Sequence, residues 1–121
     1  MKPILIAFIC LLVAACTTTK PGPEILTPAQ NAIQAAEAAG GDEFAPVEMR
    51  FAREKLASAQ KGIEKQKYKV AVYLMEQAEI NAELANEKSR TAKVRRLVNE
   101  QRKSNAELNA NLRETFGDEF K

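Results

Sequence analysis

Residues 45–85 read APVEMRFAREKLASAQKGIEKQKYKVAVYLMEQAEINAELA. Ala45, Met49, Ala52, Leu56, Ala59 and Ile63 step by 4, 3, 4, 3, 4 along this stretch. After Tyr68 a second set, Ala71, Met75, Ala78, Ala82 and Ala85, steps by 4, 3, 4, 3. Alternating threes and fours put side chains along one line of an α-helix, the spacing of a heptad seam. If the chain reverses between Glu64 and Tyr68, the seams meet antiparallel: Ile63 beside Ala71, Leu56 beside Ala78, Ala52 beside Ala82. Alanine at these positions lets the helix axes approach at the short end of the ~8–10 Å range. The pairing also sets Arg53 and Lys55 level with Glu79 and Glu83, as flanking ion pairs worth only ~0.2–1 kcal/mol each.

A rival register runs through the same residues. Continuing the first seam without a turn adds Val70, Tyr73, Ile80, Leu84, Val94, Val98, Leu108 and Leu112, so that 14 of 20 seam positions from Ala45 to Leu112 are apolar. Either the segment is one rod in an oligomeric coiled coil, or the last helix carries two apolar stripes because it has two neighbours. Ile63 to Phe116 is 54 residues without Pro or Gly. Upstream, Thr27-Pro28-Ala29-Gln30 predicts a helix start, with Thr27 as cap, Gln30 completing a capping box and Pro28 where its missing N–H costs nothing. That helix carries a narrow stripe of Ala29, Ile33 and Ala36 and stops at Gly40-Gly41. No window alternates with the two-residue period of a strand. The fold class is therefore all-α: a short N-terminal helix, then an antiparallel hairpin with a long, partly overhanging C-terminal helix. The alanine-rich helical domain spans 28–116, and 117–121 is a tail.

The N-terminus has a different character. Met1-Lys2-Pro3 leads into twelve apolar residues, Ile4 to Ala15, too few for a helix across a bilayer, which needs about 20. The run fits a secretory signal peptide. Its end, Val13-Ala14-Ala15-Cys16, resembles the bacterial lipoprotein box. The resemblance implies a signal peptide over 1–15, cleavage between Ala15 and Cys16, and diacylglycerol on the Cys16 sulfur with acylation of the new amine. Residues 16–27, with Thr17 to Thr19, Lys20, Pro21, Gly22 and Pro23 after the Cys, read as an extended tether reaching about 36 Å. Thr17 after the Cys resembles the pattern that sorts lipoproteins to the outer membrane, facing the periplasm.

Glu43-Phe44-Ala45-Pro46, then Ala52, Leu56 and Ala59, then Tyr68, Ala71, Leu74, Ala78, Ala82 and Ala85 resemble an alanine-rich helical domain of unknown function found in bacterial envelope lipoproteins. Some of its relatives carry an OmpA-like peptidoglycan-binding domain afterwards, which is absent from this sequence. The resemblance covers about Pro28 to Arg90 and implies a helical hairpin with its turn just before Tyr68. An alternative likeness is to the murein lipoprotein, a rod-like oligomer spacing outer membrane from peptidoglycan through a C-terminal Lys. The chain ends in Lys121, but Gly117-Asp118-Glu119-Phe120 lacks the Tyr-Arg that precedes that Lys.

Composition narrows the chemistry. There is no His, and two Cys cannot make a four-thiolate zinc site. Catalytic and metal-binding residues are therefore expected to be none, and no cofactor is expected beyond covalent lipid. Gly40-Gly41-Asp42-Glu43-Phe44 spells the signature loop of diguanylate cyclases, but that loop joins strands and none is expected here. A helix stop followed by acids at the next helix's N-terminus is the plainer reading. Eighteen Lys and Arg against sixteen Asp and Glu leave a net charge of +2.

The last helix is nevertheless divided, with Glu76, Glu79, Glu83 and Glu87 followed by Lys88, Arg90, Lys93, Arg95, Arg96, Arg102 and Lys103. These cations are either a solvated face or a docking surface for lipid A phosphates, acidic phospholipid, peptidoglycan carboxylates or an envelope protein. Nucleic acid is disfavoured, since no aromatic residue is interleaved for stacking. From Cys16 onward, 106 residues hold only twenty Leu, Ile, Val and Phe. So thin a core points to a marginal monomer that gains from a partner or from self-association. The functional expectation is a lipid-anchored, non-enzymatic structural or interaction module.

Overall fold

In the computed structural model, residues 22–117 are described, without the side chain of Pro23. The expected signal peptide, the expected cleavage point at Ala15 and lipidation at Cys16, most of the expected tether and residues 118–121 lie outside the described residues. After a 3-10 turn at Pro23–Leu26, four helices follow: α1 (Thr27–Ala38), α2 (Gly41–Phe44), α3 (Pro46–Glu64) and α4 (Tyr68–Phe116). No strand occurs among the described residues.

The hairpin of α3 and α4 is the frame, and its seams are those the spacing predicts. Met49, Ala52 and Ala59 of α3 and Ala71, Met75, Ala78, Ala82 and Ala85 of α4 are buried. The seam continues to Ser89, also buried, whose hydroxyl donates to the Ala85 carbonyl at 2.6 Å. Ile63 is only half-buried. Gly62 takes its place, and a Cβ there would stand 3.2 Å from the Ala71 Cβ.

The reversal is made by Lys65, Gln66 and Lys67. Lys67 N–H donates to the Gly62 carbonyl at 2.8 Å and Gln66 N–H to the Ile63 carbonyl at 2.9 Å. These are the two bonds of a Schellman ending, which needs a left-handed residue at its second-last position. Gln66 supplies it with φ 58°. The turn excludes the continuous rod from Ala45 to Leu112.

α1 lies against α4 and touches α3 less. Its buried residues are Ala29, Ile33 and Ala36, the predicted stripe. One core cluster joins the three long helices through Ile33, Ala36, Ala45, Met49, Ala52, Ala82 and Ala85. Nearer the turn the hairpin has only its own two helices to close it. Thr27 does not cap α1: its φ and ψ of −58° and −45° are already helical, and Leu26 stands at the cap without a side-chain bond. The preceding 3-10 turn runs straight into the helix, so Thr27 is inside it. Pro28 is in the first turn, as expected.

α4 outruns the body. From Val94 to Gly117 every residue is exposed except the half-buried Leu112. Leu97 to Phe116 thus project by about 30 Å at 1.5 Å per residue. Gly117, at φ 71°, ends the helix. No described helix is long and apolar enough to cross a membrane.

Candidate functional site

The GGDEF pentapeptide forms a tight helical corner between α1 and α3. Gly40 adopts φ 87°, a left-handed conformation that ends α1, and donates to the Glu37 carbonyl at 2.9 Å. Its own carbonyl accepts from Glu43 N–H at 3.1 Å and Phe44 N–H at 3.0 Å, which makes α2 a single closed turn. Gly41 is buried, and a Cβ there would stand 2.8 Å from the Ala36 carbonyl oxygen and 2.7 Å from Met49 Sδ. Both glycines are thus required by the backbone path.

The acids of the corner face cations brought from elsewhere. Arg53 of α3 presents its guanidinium fork to Asp42, with Nη1 to Oδ1 at 2.7 Å and Nη2 to Oδ2 at 3.0 Å. The same Nη2 also donates to Glu37 Oε1 at 2.7 Å. Arg53 therefore ties α1, α2 and α3 together, and it does not pair with Glu79 or Glu83 as the hairpin register predicts. Lys55 makes no ion pair with those acids either. The Asp42 carboxylate, next to the first turn of α3, is the nearer and better-shaped partner for a planar fork. Arg96 of α4 reaches back to Glu43 at 3.4 Å and lies 5.3 Å from the centroid of the Phe44 ring. Lys88 of α4 pairs with Glu48 of α3.

These contacts shift the carboxyls. The hydrogen bonds from Arg53 hold Asp42 below the ordinary carboxylate range, and Lys88 does the same to Glu48. The two carboxylates on Arg53 push its guanidinium further up. A depressed carboxyl stabilises the fold fully above its ordinary pKa and loses that contribution as pH falls through its lower, folded value. The urea midpoint is accordingly expected to be flat from neutrality to about pH 5 and to fall below it. In Arg53→Gln this acid limb should become shallower; an unchanged limb would show that the fork carries no stability.

The seven basic residues from Lys88 to Lys103 do not make one surface. Lys88, Arg90, Arg96 and Lys103 each have a carboxylate of the same chain, namely Glu48, Glu87 (3.9 Å), Glu43 and Glu107 (3.9 Å). Arg96 also faces Glu100 at 3.9 Å. Lys93 lies over the end of α1, where a Cβ on Gly40 would meet its Cε at 3.2 Å; a helix C-terminus favours a cation there. Arg95 and Arg102 have no ion pair among the described residues. Spaced by seven, they lie on one line of the helix with Lys88. A shallow groove along this line is lined by Phe44, Leu84, Thr91 and Ala92 together with the charged Glu87, Lys88 and Arg95.

Sequence reasoning missed the corner's partners because they are 11, 16 and 53 residues away and none is flagged by a local pattern. No group of three or more His, Cys, Asp or Glu that could hold a metal ion occurs among the described residues. No curated protein and no solved structure matches the chain. A family model described as a domain of unknown function (DUF4398) matches residues 24–101, which begins in the turn before α1 and takes in the whole three-helix body. With well over half of the chain inside that match, this protein belongs to the DUF4398 family.

Proposed function

We propose that this protein is a membrane-anchored lipoprotein of the bacterial cell envelope whose helical domain is a non-enzymatic interaction module. The observation that carries the reading is Val13-Ala14-Ala15-Cys16 after a short apolar run. Lipid on Cys16 with three acyl chains exceeds the two signals that stable anchoring takes, at about 0.8 kcal/mol per buried CH₂. The mature chain then begins at Cys16, and a tether from Thr17 to Gly22, ahead of the 3-10 turn, holds the helices clear of the headgroups. Thr17 favours the outer membrane, with the helices in the periplasm.

The helical body supports an interaction role more than a chemical one. Gly40 and Gly41 are accounted for by backbone geometry, and Asp42 and Glu43 are engaged by Arg53 and Arg96. The GGDEF corner therefore has structural work for each of these residues without nucleotide chemistry. Of the basic run, Arg95 and Arg102 retain charge for an anionic envelope partner such as lipid A phosphate or peptidoglycan carboxylate. The test is Cys16→Ser in the full-length chain, followed by cell fractionation and metabolic labelling with palmitate. The wild-type chain should take up label and sediment with membranes, and the variant should do neither. Membrane residence of the unlabelled variant would overturn the anchor.

A further inference from the structure

α4 carries a second heptad seam that the chain leaves bare. Val70, Tyr73, Gln77, Ile80, Leu84, Glu87, Thr91, Val94, Val98, Gln101, Asn105 and Leu108 step by alternating threes and fours along one helix. They lie on the side of α4 away from the buried line of Ala71 to Ser89, so neither α1 nor α3 covers them, and Phe44 of α2 borders them, beside Leu84 and Thr91. The apolar members Val70, Tyr73, Ile80, Leu84, Val94, Val98 and Leu108 are 43–59% exposed. Side chains of this size at coiled-coil spacing are an unpartnered face about 58 Å long.

The order of residues along this seam identifies its partner. Read outward from position 89, the two directions match in kind. Glu87 and Thr91 are polar, Leu84 and Val94 apolar, Ile80 and Val98 apolar, Gln77 and Gln101 the same amide, and Val70 and Leu108 apolar. Between the last two pairs, Tyr73, with its polar hydroxyl, matches Asn105. A seam that reads alike from both ends is self-complementary when two copies run antiparallel about a two-fold axis.

We propose that two copies of this chain pair antiparallel along α4, with the two-fold axis at the level of Ser89. Each layer then sets like on like: Leu84 on the partner's Val94, Ile80 on the partner's Val98, and Gln77 on the partner's Gln101. The distal part of each α4, which has no neighbour in its own chain, lies along the hairpin of the other copy. A parallel pair would instead stack Glu87 on itself inside the seam. At the antiparallel centre Arg90 and Lys88 do face their own copies. Each is already matched by a carboxylate of its own chain, Glu87 and Glu48. This inference does not rest on the lipid anchor.

The experiment uses two full-length variants, Ile80→Cys and Val98→Cys, co-expressed and treated in cells with a short bismaleimide. Within one helix these positions are about 27 Å apart, too far for the reagent. Mass spectrometry of the linked peptides should recover the junction of position 80 with position 98. Junctions of 80 with 80 and 98 with 98 would overturn the antiparallel pairing. Links only to other proteins, or no link at all, would overturn self-association. Leu84→Arg, at an exposed position, should abolish the link and reduce the light-scattering mass from two chains to one while the circular dichroism keeps its helical amplitude. A dimeric mass in that variant would overturn the seam as the interface.

Discussion

Leucine in place of Ala82 is expected to destabilise the folded chain by about 3 kcal/mol. Ala82 has no exposed surface and sits in the cluster where α1, α3 and α4 meet, with Ala52 and Ala85 as neighbours. A methyl at this position sets how closely the helices approach. Three further carbons fit only if the helices separate, which strips contact from the other alanines on both sides. A domain of this size loses roughly 4–8 °C in Tm per kcal/mol, so a fall of roughly 12–24 °C should appear in a thermal melt. Ala106→Leu provides the control. It makes the same change on the same helix where the side chain is exposed, and should move stability by no more than about 0.5 kcal/mol. Equal losses in the two variants would show that the alanine seam does not set the helix spacing. Ala52→Gly combined with Ala82→Leu should recover part of the loss, because the removed methyl belongs to the same cluster.

A single methyl at Gly41 should cost about 2–3 kcal/mol by urea unfolding. Intrinsic helix preference alone would favour Gly41→Ala by about 1 kcal/mol, since Gly41 begins a helical turn. Sterics oppose it more strongly. The new Cβ would stand 2.8 Å from the Ala36 carbonyl oxygen and 2.9 Å from Met49 Cγ. The carbonyl belongs to the backbone of α1, and Met49 has no exposed surface into which to swing. At Gly62 the corresponding contact is with one methyl at 3.2 Å, so Gly62→Ala should cost less. If Gly41→Ala is instead neutral or stabilising, the α1–α2 corner is looser than its contacts imply. Such a result would also reopen the question of why two glycines precede Asp42.

The hairpin was legible because its cause is local and periodic. Ala45 to Ala59 and Ala71 to Ala85 carry mostly alanine at one spacing, and Pro46 and Tyr68 mark where each helix begins. The stripe Ala29, Ile33 and Ala36 was equally readable. Where that stripe docks was not, since α1 packs on α4, about fifty residues on, through small side chains that carry no address. The charges were the least legible. Arg53 has acids within reach on either side of its helix, and a surface ion pair is too weak for spacing to choose between them. The choice of Asp42 and Glu37 follows only once Gly40 has turned the chain. The double periodicity of α4 was visible as two rival registers, and the structure uses one within the chain while leaving the other exposed. The lipid attachment proposed at Cys16 was read from Val13-Ala14-Ala15-Cys16, a local motif of four consecutive residues.

The methionine packed beneath Gly41 gives the molecule a built-in reporter. Both methionines among the described residues, Met49 and Met75, are buried, one in the three-helix cluster and one nearer the turn. Peroxide converts a thioether to a polar sulfoxide only where it can reach the sulfur, so each site oxidises at the rate its surroundings open. Comparing the two sulfoxide yields in a single digest would then time the breathing of each end of the hairpin, with no label and no substitution.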